Sequence, residues 1–178
     1  MKKQYIFILL ATMVVLGGCN FSSADADLNE TVQVSLINTE GKEVGQATLT
    51  EHSKGVHIHL KAEGLTPGVK AIHFHETAIC EKPEFTTAGA HFNPTHKEHG
   101  FENPKGYHSG DLPNIEIGED GKVELETVSP AVVLTAGKSN SLLDADGSSI
   151  IIHENADDYK TDPSGNSGKR IVCGEIKK

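Results

Sequence analysis

Between Thr77 and Pro113 the sequence has no helical or strand periodicity and is too rich in Gly and Pro for regular structure. A structureless connection of that length is uncommon inside a compact domain and needs a source of order from outside the backbone. The source is written in and around the same stretch. From Ala71 to Asp111 lie six of the chain's ten histidines (His73, His75, His91, His96, His99 and His108), with Cys80 and the closing Asp111. Imidazole is the commonest metal-ligating side chain, and an ordinary core has no use for it at this density. The chain must therefore build a scaffold that wraps a long loop around ions, with His153 brought in from far downstream.

The scaffold reads as strands. Thr31–Ile37, Val44–Thr50 and Val56–Ala62 alternate apolar and polar residues, the period of a half-buried strand, and Gly-containing turns join them into an antiparallel meander. A further strand is expected over Val69–Glu76. Asn114–Gly118 and Lys122–Val128 flank Glu119-Asp120-Gly121, a hairpin signal. Ser139–Leu143 is ambiguous, Ser148–His153 is an apolar strand ending in histidine, and Arg170–Ile176 closes the chain. Glu154–Lys169 is a second loop. About eight strands, no helix and no internal repeat predict an antiparallel sandwich or flattened barrel.

Two histidine pairs share the His-x-His spacing. His57 and His59 fall on the polar phase of the third strand and read as a solvent-facing pair, as does His52 in a turn. His73 and His75 stand on one face, about 6–7 Å apart along the strand, and lead straight into the histidine-rich loop. His91, His99, His108 and Asp111 have the irregular spacing of a loop wrapped round an ion, and three imidazoles with one carboxylate close a tetrahedral zinc set. His73, His75 and His153 offer nitrogen only, which suits copper. His96, between Thr95 and Lys97, reads as an exposed loop residue.

The chain opens with Lys2 and Lys3, an apolar run from Tyr5 to Leu16, and Leu16-Gly17-Gly18-Cys19. The run is shorter than the ~20 residues of a spanning helix and has the form of a secretory leader. Leu-Gly-Gly-Cys resembles the lipobox of bacterial lipoproteins. Residues 1–18 are then a leader, Cys19 is the lipidated mature N-terminus, and residues 19–29 form a small, polar, flexible tether. Plain cleavage near Ala24 or Ala26 is the alternative. Residues 30–178 are one domain by size. An exported chain attached by lipid to the extracytoplasmic face of a cell membrane follows. The net charge of −9, or −11 without Lys2 and Lys3, argues against nucleic acid as a partner. Export permits a disulfide between the two remaining cysteines, Cys80 and Cys173; the competing reading makes both of them zinc ligands.

These residues together resemble one family, the copper/zinc superoxide dismutases. The matching pieces are His73-Phe74-His75, Ala88 to Pro94, Lys97 to Gly100, His108 to Leu112, Ile152 to Glu154, Ala156 to Asp158, and Gly165 to Gly174, in the family's order. The resemblance implies an eight-stranded antiparallel Greek-key barrel or sandwich with a long metal-binding loop. It implies one copper per subunit on His73, His75, His91 and His153, and one zinc on His91, His99, His108 and Asp111, with His91 bridging the two. It makes Cys80–Cys173 the intrasubunit disulfide, Asp157 the carboxylate that bonds both His73 and His99, and Arg170 the receiver of the anionic substrate. The implied activity is dismutation of superoxide to dioxygen and hydrogen peroxide by a copper redox cycle, with zinc structural and His91 handing over a proton.

The chain departs from the family's common pattern at Lys70 and Ala71, and in a short second loop carrying Asp162. A non-catalytic copper- or zinc-buffering lipoprotein on the same fold competes with the enzyme, as does a zinc hydrolase. The hydrolase would need an open zinc position that this ligand set closes. Monomer and homodimer are not distinguished by the sequence.

Overall fold

Alternation decides the first three strands. The computed structural model of the protein describes residues 30–178, so the expected leader, Cys19 and tether lie outside the described residues. In β1 (Thr31–Asn38) Val32, Val34 and Leu36 are buried and the residues between them face out. β2 (Glu43–His52) buries Val44, Ala47 and Leu49, and β3 (Gly55–Ala62) buries Val56, Ile58 and Leu60. Their register stacks Val34, Ala47 and Leu60 across the sheet. Burying each such aliphatic chain is worth about 1.5–3 kcal/mol, and a one-residue slip would turn the whole set to solvent. The β1–β2 turn is closed by Asn38, whose side-chain oxygen accepts from the main chain of Glu40 and Lys42 at 3.1 and 3.0 Å.

The remaining strands are β4 (Gly68–Lys70), β5 (Ile72–His75), β6 (Ile115–Ile117), β7 (Val123–Ser129), β8 (Ser148–His153) and β9 (Arg170–Ile176). Seven form one antiparallel sheet in the order β5-β8-β9-β1-β2-β3-β7, and β4 and β6 form a second. β9 returns after a long excursion to lie beside β1, giving the spatial order β9-β1-β2-β3 of a Greek key. The main core lies between these strands, around Leu36, Leu49, Ile58, Leu60, Phe74, Ile150 and Ile152.

Among the described residues nine strands replace the expected eight, because the stretch expected as one strand, Val69–Glu76, divides at Ala71. β4 pairs with β6, whereas β5 pairs with β8. Ala71 is held at the switch by its amide donating to Asn155 O and its carbonyl accepting from His153 N. The hairpin expected around Glu119-Asp120-Gly121 is corrected for the same reason. Its turn closes through Gly118 and Lys122, but β6 is taken by β4 and β7 by β3. Ser139–Leu143 is irregular, with one bridge from Ser141 to Val133.

The long loop covers the outer edge of β5. Phe74 N donates to Gly110 O, Phe92 N donates to Phe74 O, and bridges pair His73 with Asp111 and His75 with His91. Behind it, Phe85, Ala88, Ile151 and Cys173 make a small second core with Ile37 and Cys80. The disulfide between Cys80 and Cys173, with Cα atoms 5.8 Å apart, fastens the loop to β9. The reading of these cysteines as zinc ligands is thereby excluded.

Candidate metal centre

Main-chain pairing of the loop with β5 brings the expected ligands into two sets that share one ring. Nitrogen atoms of His73, His75, His91 and His153 lie within 4.8 Å of one another, and so do ligand atoms of His91, His99, His108 and Asp111. All seven residues are buried. The ring centroids of His73 and His91 are 4.1 Å apart, and those of His75 and His91 4.9 Å.

In the first set the protein fixes which nitrogen of each ring is free. Asp157 Oδ2 stands 2.9 Å from His73 Nε2, and Gly89 O accepts from His75 Nδ1 at 3.0 Å. Ser167 Oγ and Gly168 O face His153 Nδ1 at 3.1 and 3.4 Å. Each acceptor holds a proton on the nitrogen it faces and leaves the opposite nitrogen with a lone pair. Those opposite atoms are His73 Nδ1, His75 Nε2 and His153 Nε2. Together with His91 Nε2, they are the four ring nitrogens in the described residues that are buried without a hydrogen-bond partner. Leaving one buried polar atom unsatisfied costs about 1–3 kcal/mol. Four converging in one place are the signature of ligands to a soft or borderline cation.

The second set converges on one oxygen. The Nδ1 atoms of His91, His99 and His108 lie 3.0, 3.1 and 3.3 Å from Asp111 Oδ1. Asp111 Oδ2 is occupied by the main-chain amides of Gly100 and His108, so the carboxylate is clamped with Oδ1 toward the rings. His99 Nε2 is bound to Asp157 Oδ1 at 2.9 Å. With that nitrogen donating, the lone pair on Nδ1 would face a carboxylate oxygen, an arrangement that requires a cation or an added proton between them. Three nitrogens and one oxygen in a closed group fit zinc.

Protonation energetics agree. Burial, then the neighbouring charges of His73 and His91, push His153 down to about 2. Burial lowers His91 to about 4 against the pull of Asp111, and burial also lowers His73 and His75. Neutral rings with free lone pairs are the form in which imidazole ligates. Burial disfavours charge on His99 too, but the Asp111 and Asp157 carboxylates outweigh it and raise that ring to about 9. Burial likewise opposes charge on Asp111 and Asp157, yet their histidine partners hold both well below the ordinary carboxylate range.

Asp157 bonds a ring of each set, and its own main chain is clamped by Asn114 at 2.8 and 2.9 Å. Gly165 makes that contact possible. It has φ +63°, and a Cβ there would stand 1.8 Å from Asp157 Oδ1. Arg170 is partly buried, its guanidinium donating to Phe85 O and Gly89 O at 2.6 Å each. Gly89 O thus holds both Arg170 and His75. Lys70, one of the departures, donates to Glu154 O at 2.6 Å and pins the residue after His153.

His52 and His96 are exposed and outside both sets. His57 and His59 face Glu126 and Glu124 at 3.3 and 3.1 Å on the open side of β3. Sequence reasoning assigned no role to Asn114, Gly89 or Gly165, although the last two lie in the matching stretches Ala88 to Pro94 and Gly165 to Gly174. Gly89 acts through its main-chain carbonyl, Asn114 through a side-chain carboxamide that belongs to none of the matching stretches, and Gly165 through the room left by its missing side chain.

A Greek-key β-barrel carrying two buried groups of potential metal ligands that share one histidine defines a candidate binuclear metal site. Comparison gives the family. Residues 43–176 match the profile described as "Copper/zinc superoxide dismutase (SODC)". The chain is 51% identical over 145 residues to the superoxide dismutase-like protein YojM of Bacillus subtilis (80% of this chain, 74% of the relative). It is 44% identical over 165 residues to copper/zinc superoxide dismutase 2 of Aquifex aeolicus (92% of this chain, 96% of the relative). Among solved structures, the Cu/Zn superoxide dismutase of Brucella abortus superposes with a TM-score of 0.67 at 30% identity, covering 83% of this chain and 99% of that one. The chain belongs to the copper/zinc superoxide dismutase family.

Proposed function

We propose that the protein dismutes superoxide, with copper on His73, His75, His91 and His153 and zinc on His91, His99, His108 and Asp111. Copper when bound supplies the one-electron chemistry that turns one superoxide into dioxygen and another into hydrogen peroxide, while redox-inert zinc fixes the shared ring. The residues of the chain do the rest. Asp157, Gly89 and the Ser167–Gly168 segment aim three lone pairs inward, and the loop excludes bulk water from the rings. Arg170, anchored by two carbonyls, offers a positive charge that does not titrate away and receives the anionic substrate. His91 Nε2, which has no protein partner, is the atom at which a proton can be held and passed to reduced oxygen.

The observation that carries this reading is the set of four buried, unpartnered nitrogens. The names of the curated relatives support it, because those of Aquifex aeolicus and Caulobacter vibrioides are named as superoxide dismutases. Dismutation measured after reconstitution with copper and zinc should be rapid, and His153→Ala should lose it while still binding zinc. Activity that survives in His153→Ala, or an inert doubly loaded protein, would return the assignment to metal buffering. The leader motif supports export and attachment to the outer face of a cell membrane through lipid on Cys19, and the Cys80–Cys173 disulfide suits an oxidising compartment. Metabolic labelling with palmitate tests this: label that persists in Cys19→Ala would refute it.

A further inference from the structure

In the zinc half each ligand ring has a second nitrogen whose environment matters. His91 Nε2 belongs to the copper set, and His99 Nε2 is held by Asp157 at 2.9 Å. His108 Nε2 makes no hydrogen bond to any described residue, although its ring is 7% exposed. A neutral imidazole that presents Nδ1 to an ion carries its proton on Nε2, and that proton needs an acceptor to fix the tautomer and the ring's orientation. The closest carboxylate to it is Asp162, whose Oδ1 lies 3.9 Å away.

Asp162 is not placed there by accident of an exposed loop. The same Oδ1 accepts the main-chain N–H of His99 at 2.7 Å, so one oxygen sits between the backbone of one zinc ligand and the ring of another. The turn that carries it is fixed on both sides. Asp158 accepts from the amides of Lys160 and Thr161 at 2.9 and 2.8 Å, and Gly165 N donates to Thr161 O at 2.6 Å. Asp162 itself has no lysine or arginine partner among the described residues, and its side chain is 50% exposed. It stands with Pro163 on the rim of a groove of about 540 Å³ that His91 and His108 also line. The groove is the open side of the zinc half.

We infer that Asp162 is a positioning residue for the zinc half. It anchors the Nε2–H of His108 and, through the main chain, His99, and so sets how tightly that half keeps its ion. The 3.9 Å separation closes to hydrogen-bond length with about an ångström of side-chain travel. This inference rests on the reading of His91, His99, His108 and Asp111 as a zinc set.

The test uses the full chain and Zn(II), with affinity read by competition against a chromophoric chelator and ligand geometry by the absorption bands of Co(II) in the same half. Asp162→Ala should weaken Zn(II) binding by about 10- to 100-fold, the range seen when partners of ligating histidines are removed. Asp162→Asn keeps an acceptor for His99 N and loses the charge, so it should fall between Ala and the parent. Both should shift the Co(II) bands. Glu102→Gln breaks the Lys160–Glu102 ion pair on the same loop seam without touching a ligand, and should move neither readout. Zn(II) affinity of Asp162→Ala within twofold of the parent would overturn the inference, as would an equal loss in Glu102→Gln. If the Ala variant does not fold, an Asn variant with unchanged affinity and bands overturns it alone. A parent chain that takes up no Zn(II) at all would instead sink the functional reading beneath it.

Discussion

The chain carries His-x-His twice, at His57-Ile58-His59 on β3 and at His73-Phe74-His75 on β5. In the first copy the imidazoles stand over an open sheet face, 32% and 41% exposed, against the exposed carboxylates of Glu126 and Glu124. In the second they are 0% and 1% exposed and each has one nitrogen without a partner. Strand geometry is the same in both. The difference is what lies on the adjacent edge: β3 is flanked by β2 and β7, whereas the outer edge of β5 is paired to the long loop, which delivers His91 and Asp111. A pair of ligands becomes a site when another segment is forced to complete it, and spacing alone does not do this.

The largest test of that contrast is to delete each pair. His73→Ala with His75→Ala should cut copper uptake and dismutation by more than about 100-fold, beyond the 10- to 100-fold typical of losing a ligand's supporting partner. His57→Ala with His59→Ala should leave both within twofold. Comparable losses from the two double variants would erase the distinction.

Next in size is the fastening of the loop. Cys80→Ser opens a link between positions 93 residues apart, for which the chain-entropy account gives about 4–5 kcal/mol. Denaturant unfolding of the metal-free protein should show a loss of that order, and the rings on β5 should become more accessible, like those on β3. A loss below about 1 kcal/mol would mean that main-chain pairing alone holds the cover in place.

The last test is pH, again on the metal-free protein. His153 and His91 are depressed to about 2 and about 4 when folded, from 6.5 when free. Below about pH 6.5 the unfolded chain therefore binds protons that the folded chain refuses, and stability falls as pH drops toward 4. The slope is at most about 1.4 kcal/mol per pH unit for each ring. His99 has the opposite sign. Raised to about 9, its contribution is complete below 6.5 and is lost as pH rises through 9. Stability should thus peak near neutrality, and because burial lowers His73 and His75 as well, the acid-side slope should shrink when those two rings are removed. An unchanged slope in the β5 variant would show that other groups control the acid limb.

Much of this was legible in the sequence, for identifiable reasons. Period-two alternation marked β1, β2 and β3 because each has one face in the core and one in solvent. The candidate ligands were visible because no other physical reason gathers imidazoles in a loop without periodicity. The division at Ala71 was not visible, since Val69–Glu76 reads as one strand and only the competing partners β6 and β8 split it. The hairpin at Glu119-Asp120-Gly121 misled for the same reason: the turn is local, but strand pairing is decided by distant segments. Gly89 acts through a main-chain carbonyl that almost any residue could present, and Asn114 is a single carboxamide far in sequence from Asp157, so neither announces its partner.

The carboxylate of Asp157 has a consequence for how the protein is assembled. One of its oxygens holds a ring of the copper set and the other a ring of the zinc set. That side chain is already held by both rings and by Asn114 behind it, so any movement of the carboxylate displaces an imidazole in each set at once. By thermodynamic reciprocity, if filling one set shifts that carboxylate and so changes the affinity of the other set, filling the other set changes the first by the same factor.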